Sequence, residues 1–425
     1  MARYTEALQR YTSATFSSLH NRNYRLYYVG QVISTSGTFM QSIAQDWLVL
    51  KLSNSGTALG VVTALQYLPI LLLGSYGGLI ADRFPKRKIL FITQGIAGLL
   101  ALVLGALVVT GAVQLWMVNV LALLLGLNTA FDMPARQTFV IELVGEGDLK
   151  NAVTLYSTLV NLSRIIGPAI AGAIIATLGL ALCFILNGLS YAAVLIMLWR
   201  IRPAELHLAP PATRAKGQVL EGLRYAFRHR VVSTTLWMML LIGMLTFEFQ
   251  VTLPLLARFT FHGEAGSYSL LTGALGLGAV IGGLLIAGRK SVSPQGLANG
   301  ALLFGVTVVV AAFMPNIWLA ALALVVVGIC SIRFTSLGNS VLQLESTPTM
   351  RGRVMAFWTI AVLGSSTLGG PAVGWVGEAL GPRWALALGG VAALAAAAIG
   401  ARRLRPERPE ALPAAEPAPM TTGGD

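Results

Sequence analysis

The chain has 425 residues, of which 55% are hydrophobic and only 11% charged, against about 25% charged in a water-soluble domain. With 46 glycines and a mean hydropathy of +0.72, it is neither a string of soluble domains nor a disordered chain. The formal charge of +13 raises nucleic acid as a partner; the placement of the basic residues, below, removes it.

Residues 1–23 hold Arg3, Arg10, His20 and Arg22 without an apolar core, so no cleavable signal peptide is expected there, only a cytoplasmic N-terminal segment. Apolar runs follow at about 24–50, 57–80, 89–111, 114–138, 150–177 and 180–201, then at about 231–257, 267–288, 296–314, 316–338, 353–379 and 383–401. Runs of this length must be helices in lipid, because a bilayer cannot satisfy an open sheet edge, and they lack the period-two alternation of barrel strands. The expected fold is therefore an all-α integral membrane protein. Its twelve transmembrane helices form a six-helix bundle over 24–201 and a second over 231–401.

Between the bundles, 202–230 is a cytoplasmic linker. Its first part, Pro203 to Lys216, is irregular in pattern; then Val219, Leu220, Leu223, Ala226 and Phe227 follow helical spacing, with Arg224, Arg228 and Arg230 elsewhere. That suits either an amphipathic helix on the anionic inner leaflet or a plain solvated linker. Residues 402–425 carry five prolines and few large apolar groups, and are expected to be a disordered cytoplasmic tail.

With both ends on one side, 25 of the 30 Lys and Arg fall on that face and only Lys51, Arg258 and Arg383 on the other. This bias places both termini in the cytoplasm and accounts for the charge without nucleic acid. Trp47, Trp116, Trp318 and Trp384 fall at outer ends, where an aromatic belt sits. Arg333 lies near the cytoplasmic end of its span, within snorkelling reach. Cys183 and Cys330 lie in separate apolar runs without metal-ligand spacing, so no metal and no cofactor are expected.

The halves also echo each other. Val140-Ile-Glu-Leu143 matches Val341-Leu-Gln-Leu344, Lys150-Asn-Ala-Val153 matches Arg351-Gly-Arg-Val354, and Gly167-Pro168 matches Gly370-Pro371. Two related six-helix units with a pathway between them fit such a repeat.

Gly78-Leu-Ile-Ala-Asp82-Arg83-Phe-Pro-Lys86-Arg87-Lys88 joins the second and third spans. Gly78 would admit a neighbouring helix, Asp82 would accept from N–H groups at a helix start, and Arg83 and Arg87 would bridge to carboxylates. A basic loop that merely sets topology explains the cations but not Asp82. The segment resembles the signature loop of the major facilitator superfamily, Gly-x-Leu-x-Asp-Arg-x-Gly-Arg-Arg, with proline at the later glycine. The resemblance implies the major facilitator fold, and a cytoplasmic gate in which Gly78, Asp82, Arg83, Arg87 and Lys88 help latch the halves. The second-half counterpart, Ala287-Gly288-Arg289-Lys290, lacks the acid.

Asp132 and Arg136, four apart with Pro134 between them, end the fourth span on the cytoplasmic side. Together with the loop above and Asn161-Leu-Ser-Arg164-Ile-Ile-Gly167-Pro168-Ala-Ile-Ala-Gly172, they resemble the enterobactin-exporter-like branch, which holds siderophore and drug efflux proteins. The resemblance implies that Asp132 joins the Asp82–Arg83 network; a local Asp132–Arg136 pair without a gating role is the other reading. Gly167, Pro168 and Gly172 also resemble the helix 5 antiporter motif Gly-Pro-x-x-Gly-Gly, which implies proton-coupled export. Small-residue helix packing gives the same pattern.

Ionisable groups inside spans are few. Arg164 near mid-span, Glu248 slightly outward of the middle of the seventh span, and Asp46 near an outer end are the candidates for substrate contact or proton coupling. Gln31, Gln41, Gln66, Asn161, Asn187 and Gln250 either line a polar cavity or bond helix to helix. No phosphate-binding loop, HExxH or Gly-x-Ser-x-Gly is present, so neither an ATPase nor an enzyme is indicated. The expected protein is a monomeric secondary transporter of the cell membrane. It exports small amphipathic, siderophore-like or drug-like molecules by alternating access and proton antiport, its partners being substrate, protons and lipid. An uncoupled facilitator or lipid flippase, and a non-transporting sensor on a transporter fold, are the alternatives.

Overall fold

The computed structural model describes residues 16–208, 218–286 and 293–404. Arg3, Arg10, the 209–217 part of the linker, the loop at 287–290 and the tail from 405 lie outside the described residues.

Helices account for nearly every described residue, because only intra-segment pairing satisfies a backbone in lipid. The first half consists of α1 (Arg22–Ser53), α2 (Gly56–Arg83), α3 (Lys86–Val109), the continuous stretch Leu115–Leu178, and α6 (Leu180–Arg200). That 64-residue stretch is two helices, α4 and α5, divided at Gly145, whose φ of +69° and ψ of −178° no helix contains. A residue with a β carbon would be strained there. A short helix α7 (Gln218–Arg228) precedes the second half, which holds α8 (Arg230–Leu245), α9 (Phe249–Leu255), α10 (Ala265–Ile286), α11 (Pro294–Ala312) and α12 (Ile317–Glu345). It ends with α13 (Arg351–Thr359), α14 (Ser366–Ala379) and α15 (Pro382–Arg403).

By length and composition ten of these segments can cross a membrane. Counting α4 and α5 separately and adding α1 gives the expected twelve crossings, with α8–α9 and α13–α14 each making one. α1 falls short of the apolar criterion because it carries Gln31, Gln41, Gln45 and Asp46, all of them buried.

Several spans run further than their apolar runs. α4 continues past 138 to the break at Gly145, and α12 continues to Glu345. Asp132 and Arg136 therefore lie inside a helix rather than at its end, and Arg333 lies near the middle of α12 rather than near its terminus. The seventh span is interrupted at Thr246–Glu248, between α8 and α9. Pro254 removes one α9 hydrogen bond, and a π-helical turn at Leu256–Thr260 follows. A second π turn, Ile360–Gly364, joins α13 to α14.

The bundle has a basic end, where Arg22, Arg83, Arg200, Arg230, Arg351 and Arg403 lie, and a far end bearing the turns at Asn54, Gly179 and Gly381. At the far end the halves meet through backbone. Gly56-x-x-x-Gly60 of α2 faces Gly370-x-x-x-Gly374 of α14. A β carbon on Gly60 would stand 2.1 Å from the Gly370 carbonyl oxygen, and one on Gly374 would stand 2.2 Å from that of Gly56. One turn on from Gly374, Glu378 accepts from the Ser55 hydroxyl at 2.6 Å and the Thr57 N–H at 3.1 Å, at the start of α2. Arg258 donates to Asn54 at 2.5 Å and lies 5.8 Å from the centroid of the Trp47 ring. Trp116, Trp318 and Trp384 are exposed as belt residues should be, whereas Trp47 is buried in this junction.

Beside that seam α5 packs on α10, where Gly172 meets Ser269 and the Arg164 carbonyl meets Gly276. At the basic end α7, α8, α12 and α13 have no extensive packing with the first half, among the described residues. α7 is tied to its own half by Glu221–Arg353 at 2.7 Å and by the Thr347 N–H to Tyr225 Oη at 3.1 Å.

Placing a side chain in the seam tests this arrangement. Gly60→Val overpacks the closed far end by about 1–3 kcal/mol, roughly a tenfold or larger fall in its closed-to-open ratio. Spin labels at Lys51→Cys and Glu264→Cys, in a Cys183→Ala/Cys330→Ala background, should report the longer distance. Gly95→Ala, whose added β carbon meets nothing within 4 Å, should leave the distribution unchanged.

Candidate functional site

A cavity of about 740 Å³ runs through the first half, walled by α1 to α6 and touched from the second half by Gln250. It reaches Val140 and Val153, close to the break at Gly145, and ends beneath the seam near Gln45. Of the six span amides singled out in the sequence, Gln41, Gln66, Asn187 and Gln250 line it. Three of these also join helices: Asn187 donates to Gln41 at 2.7 Å, and Gln250 to Ser42 across the halves at 3.1 Å.

Asp132 and Arg136 are in the cavity wall. The helical spacing of four sets them on one face, and Arg136 donates to Asp132 Oδ2 from Nε at 2.9 Å and from a terminal nitrogen at 2.5 Å. Thr93 and Gln94 of α3 donate to Oδ1, each at 2.7 Å, and Arg136 also reaches Gln31 of α1. The carboxylate is thus fully engaged, and the pair fastens α4 to α1 and α3. This corrects its expected placement at a span end.

The signature loop differs in detail from what its residues suggested. Gly77, beside Gly78, makes a close helix approach: a β carbon there would stand 2.0 Å from the Ala130 carbonyl. Among the described residues Arg87 bridges to no carboxylate: it donates to the Leu198 carbonyl at 2.8 Å and the Trp199 carbonyl at 2.9 Å, closing the last turn of α6. Asp82 is half-buried at the end of α2, and Arg83 and Lys88 are exposed. From the loop Lys86 makes an ion pair with Glu142 at 2.9 Å, with Glu142 only 4% exposed. Glu142 was passed over because the span was expected to end before it. Its place in the Val140-Ile-Glu-Leu143 repeat, an acid where the second half has glutamine, was the available signal.

Deeper in, Tyr67 of the cavity wall stands within electrostatic reach of Glu248, Asp46 and Arg164. Asp46 is buried and accepts from Tyr268 of α10 at 2.7 Å, linking the halves. Glu248 occupies the interruption of the seventh span, against Gly369 of α14, and its Oε1 is buried without a hydrogen-bond partner among the described residues. Arg164 is exposed, its guanidinium carbon 5.8 Å from the centroid of the cavity-lining Phe39 ring, and it makes no ion pair among the described residues.

In the antiporter-like motif, Gly167 seats α5 on α1, a β carbon there lying 2.5 Å from Phe39 Cβ, and Gly172 seats α5 on α10 of the other half. The far-end seam was missed, although Gly370 had been noted in the repeat. Its signal was two Gly-x-x-x-Gly spacings, one in each half.

Residues 13–421 match the family model described as transmembrane secretion effector. The chain belongs to that family, within the major facilitator superfamily. It is 26% identical over 328 residues to the staphyloferrin A transporter of Staphylococcus aureus, covering 75% of this chain and 81% of that protein. It is 27% identical over 341 residues to the multidrug efflux pump Tap of Mycolicibacterium fortuitum, covering 78% and 82%. It is 25% identical over 366 residues to the enterobactin exporter EntS of Citrobacter koseri, covering 84% and 86%. Among solved structures, a bacterial homologue of the human lysosomal transporter Spinster, inward-facing and unoccupied, superposes with a TM-score of 0.71 at 15% identity, covering 90% of this chain and 97% of that one. A POT family transporter in complex with a thioalcohol-conjugated peptide gives 0.72 at 13% identity, covering 89% and 95%. These neighbours share the fold, and they and the relatives are transporters, not enzymes. This protein is a multi-pass member of a transporter family.

The buried ion pair carries a stability prediction. Lys86→Ala leaves Glu142 buried and unpaired, so unfolding of the purified protein in detergent should lose about 3–5 kcal/mol. Lys86→Met combined with Glu142→Leu, which removes both charges, should recover most of it.

Proposed function

We propose that the protein exports small amphipathic molecules, siderophore-like or drug-like, across the cytoplasmic membrane by alternating access coupled to proton antiport. The observation that carries this reading is the one-sided access of the cavity. The inter-half hydrogen bonds Ser55–Glu378, Thr57–Glu378, Asn54–Arg258, Asp46–Tyr268 and Ser42–Gln250 lie between the seam and the level of Gln250, and at the basic end α7, α8, α12 and α13 have no extensive packing with the first half among the described residues. Arg22, Arg83, Arg200, Arg230, Arg351 and Arg403 at that end, with the 25-to-3 bias of the sequence, support a cytoplasmic placement of that face and of both termini. The cavity then receives its load from inside the cell.

In this reading the bundles at 24–201 and 231–401 rock against each other as a monomer. Residues 202–230 join them, with α7 on the inner leaflet. Gly78, Asp82, Arg83, Arg87, Lys88, Asp132 and Arg136 form the cytoplasmic gate region. Arg87 and the Asp132–Arg136 pair act by making the first half rigid, while Asp82 and Arg83 face the side that closes. Gly167, Pro168 and Gly172 are the surface on which α5 slides over α10. Asp46, Arg164 and Glu248 line the pathway. Glu248 is placed for proton coupling because it sits where two half-helices meet, so that movement of α14 changes its surroundings directly. The relatives that carry a siderophore or drugs support export of the same kind of molecule here.

A secretion or resistance screen on a deletion strain supplies the compound, and everted vesicles test its movement. An imposed proton gradient should drive accumulation, and Glu248→Gln should reduce it at least tenfold, with Asp46→Asn also impaired. Coupled flux left intact in both variants would remove antiport. Equilibration indifferent to the gradient would point to a facilitator, and saturable binding without flux to a sensor.

A further inference from the structure

We infer that the groove beneath α7 binds one anionic phospholipid, whose acyl chain lies along α8 and whose phosphate is held by Arg224 and Arg228. This goes beyond transport and takes from the proposed function only the placement of α7 at the inner leaflet.

The groove forms where three elements of the second half converge. α7 supplies Leu223 and Phe227, α8 supplies Leu236, Trp237 and Leu240, and Phe357 of α13 with the start of the π turn closes the floor. Its volume is about 160 Å³ and its inner surface is wholly apolar. An apolar space of this size stays dry and takes hydrocarbon. Phe227 and Trp237, with ring centroids 6.2 Å apart, remain 57% and 45% exposed, so the groove is open rather than sealed. α7 is fastened along its other edge. A β carbon on Gly222 would stand 3.0 Å from Arg353 Cβ, and the Glu221–Arg353 and Tyr225–Thr347 contacts hold the same side.

Charge and depth identify the occupant. Leu220, Leu223 and Phe227 share one face of α7, and Arg224 and Arg228, four apart, run along its border. Both arginines are exposed and make no ion pair or side-chain hydrogen bond among the described residues. Glu221, the acid of α7, is already taken by Arg353. A guanidinium meets a phosphate with two parallel hydrogen bonds. α8 begins at Arg230, just past the end of α7, and the ten residues from there to Leu240 rise roughly 15 Å. That is about the depth of one leaflet in a hydrocarbon core roughly 30 Å thick. The site therefore has cations at the headgroup level and carbon below, the order found in an anionic lipid. Its floor also bears on the first half, since Gly364 of the same π turn packs on Leu71 of α2.

The test uses the full chain purified in detergent micelles, with phosphatidylglycerol and phosphatidylcholine bearing the same brominated chains, which quench tryptophan on contact. Phosphatidylglycerol should quench saturably, at a mole fraction about fivefold or more below that of phosphatidylcholine. Part of this quenching should be absent in Trp237→Phe. Arg224→Gln combined with Arg228→Gln should abolish the preference, and Leu240→Phe, which fills the groove, should weaken both lipids. Arg402→Gln with Arg403→Gln, exposed at the same end on α15, should leave the preference intact, and millimolar inorganic phosphate should displace neither lipid. The inference falls if the two lipids bind alike, if the preference survives the α7 pair or is lost equally with the α15 pair, or if phosphate alone displaces the lipid. It falls too if Trp237→Phe is quenched, or Leu240→Phe binds, as the parent does. Arginine-dependent lipid binding without gradient-driven flux would keep this inference and remove coupled export. Coupled flux without any lipid preference would keep export and remove this inference.

Discussion

Two backbones in contact at the far end are the constraint on which the rest depends. Gly56 and Gly60 of α2 meet Gly370 and Gly374 of α14 carbonyl to Cα, at separations no side chain permits. In lipid there is no hydrophobic drive between helices, so close packing and the polar groups it brings together do the work. The glycines draw the ends near enough for Glu378 to satisfy the free N–H of Thr57 at the start of α2 and for Arg258 to reach Asn54. A carboxylate at a helix start also meets the positive end of the helix dipole. With the halves fixed there and along α5–α10, the basic end is where they can part. In the function proposed above, one-sided access of the cavity follows from this seam rather than from any property of the cavity.

The two halves divide the mechanical roles unequally. In the first, charge makes a stiff body: Asp132 and Arg136 hold α4 to α1 and α3, Lys86 holds Glu142, and Arg87 holds the end of α6. In the second, irregular backbone sits on the helices that touch the first half. The seventh span breaks at Thr246–Glu248, and both it and the α13–α14 crossing carry a π turn. Mid-helix departures of this kind are common where a helix must bend. These two crossings pack closely, with Gly243 against the Ala361 carbonyl and Gly369 against that of Met244. A shift of α14 at the seam is therefore felt at Glu248.

How much of this was legible in the sequence depends on which solvent each residue meets. The twelve crossings and their basic face were legible because lipid imposes length and apolarity, and because the cations crowd one end. The polar amides and the three deep charges stood out for the same reason. Helix ends were not legible: beyond the lipid, α4 continues to Gly145 through residues that no longer need to be apolar, and so Asp132 and Glu142 were misplaced. Partners were harder still. Nothing local separates an arginine that bonds two carbonyls, as Arg87 does, from one that meets a carboxylate. The glycine seam was readable only as paired spacings in distant segments, because glycine has no chemistry of its own to advertise.

α1 shows how the conflicting demands are met. As a membrane span it is poor, since Gln31, Gln41, Gln45 and Asp46 interrupt its apolar pattern. Each of those side chains points away from lipid. Gln41 and Gln45 wall the cavity, Gln31 holds Arg136, and Asp46 holds Tyr268 across the halves. A polar path through a bilayer needs helices whose inner faces would be insoluble in lipid, and such helices are stable only when others shield them. The low apolarity of α1 and the abundance of glycine are thus two sides of one requirement. The first provides a wet lining, and the second lets the surrounding helices close tightly enough to keep lipid from it.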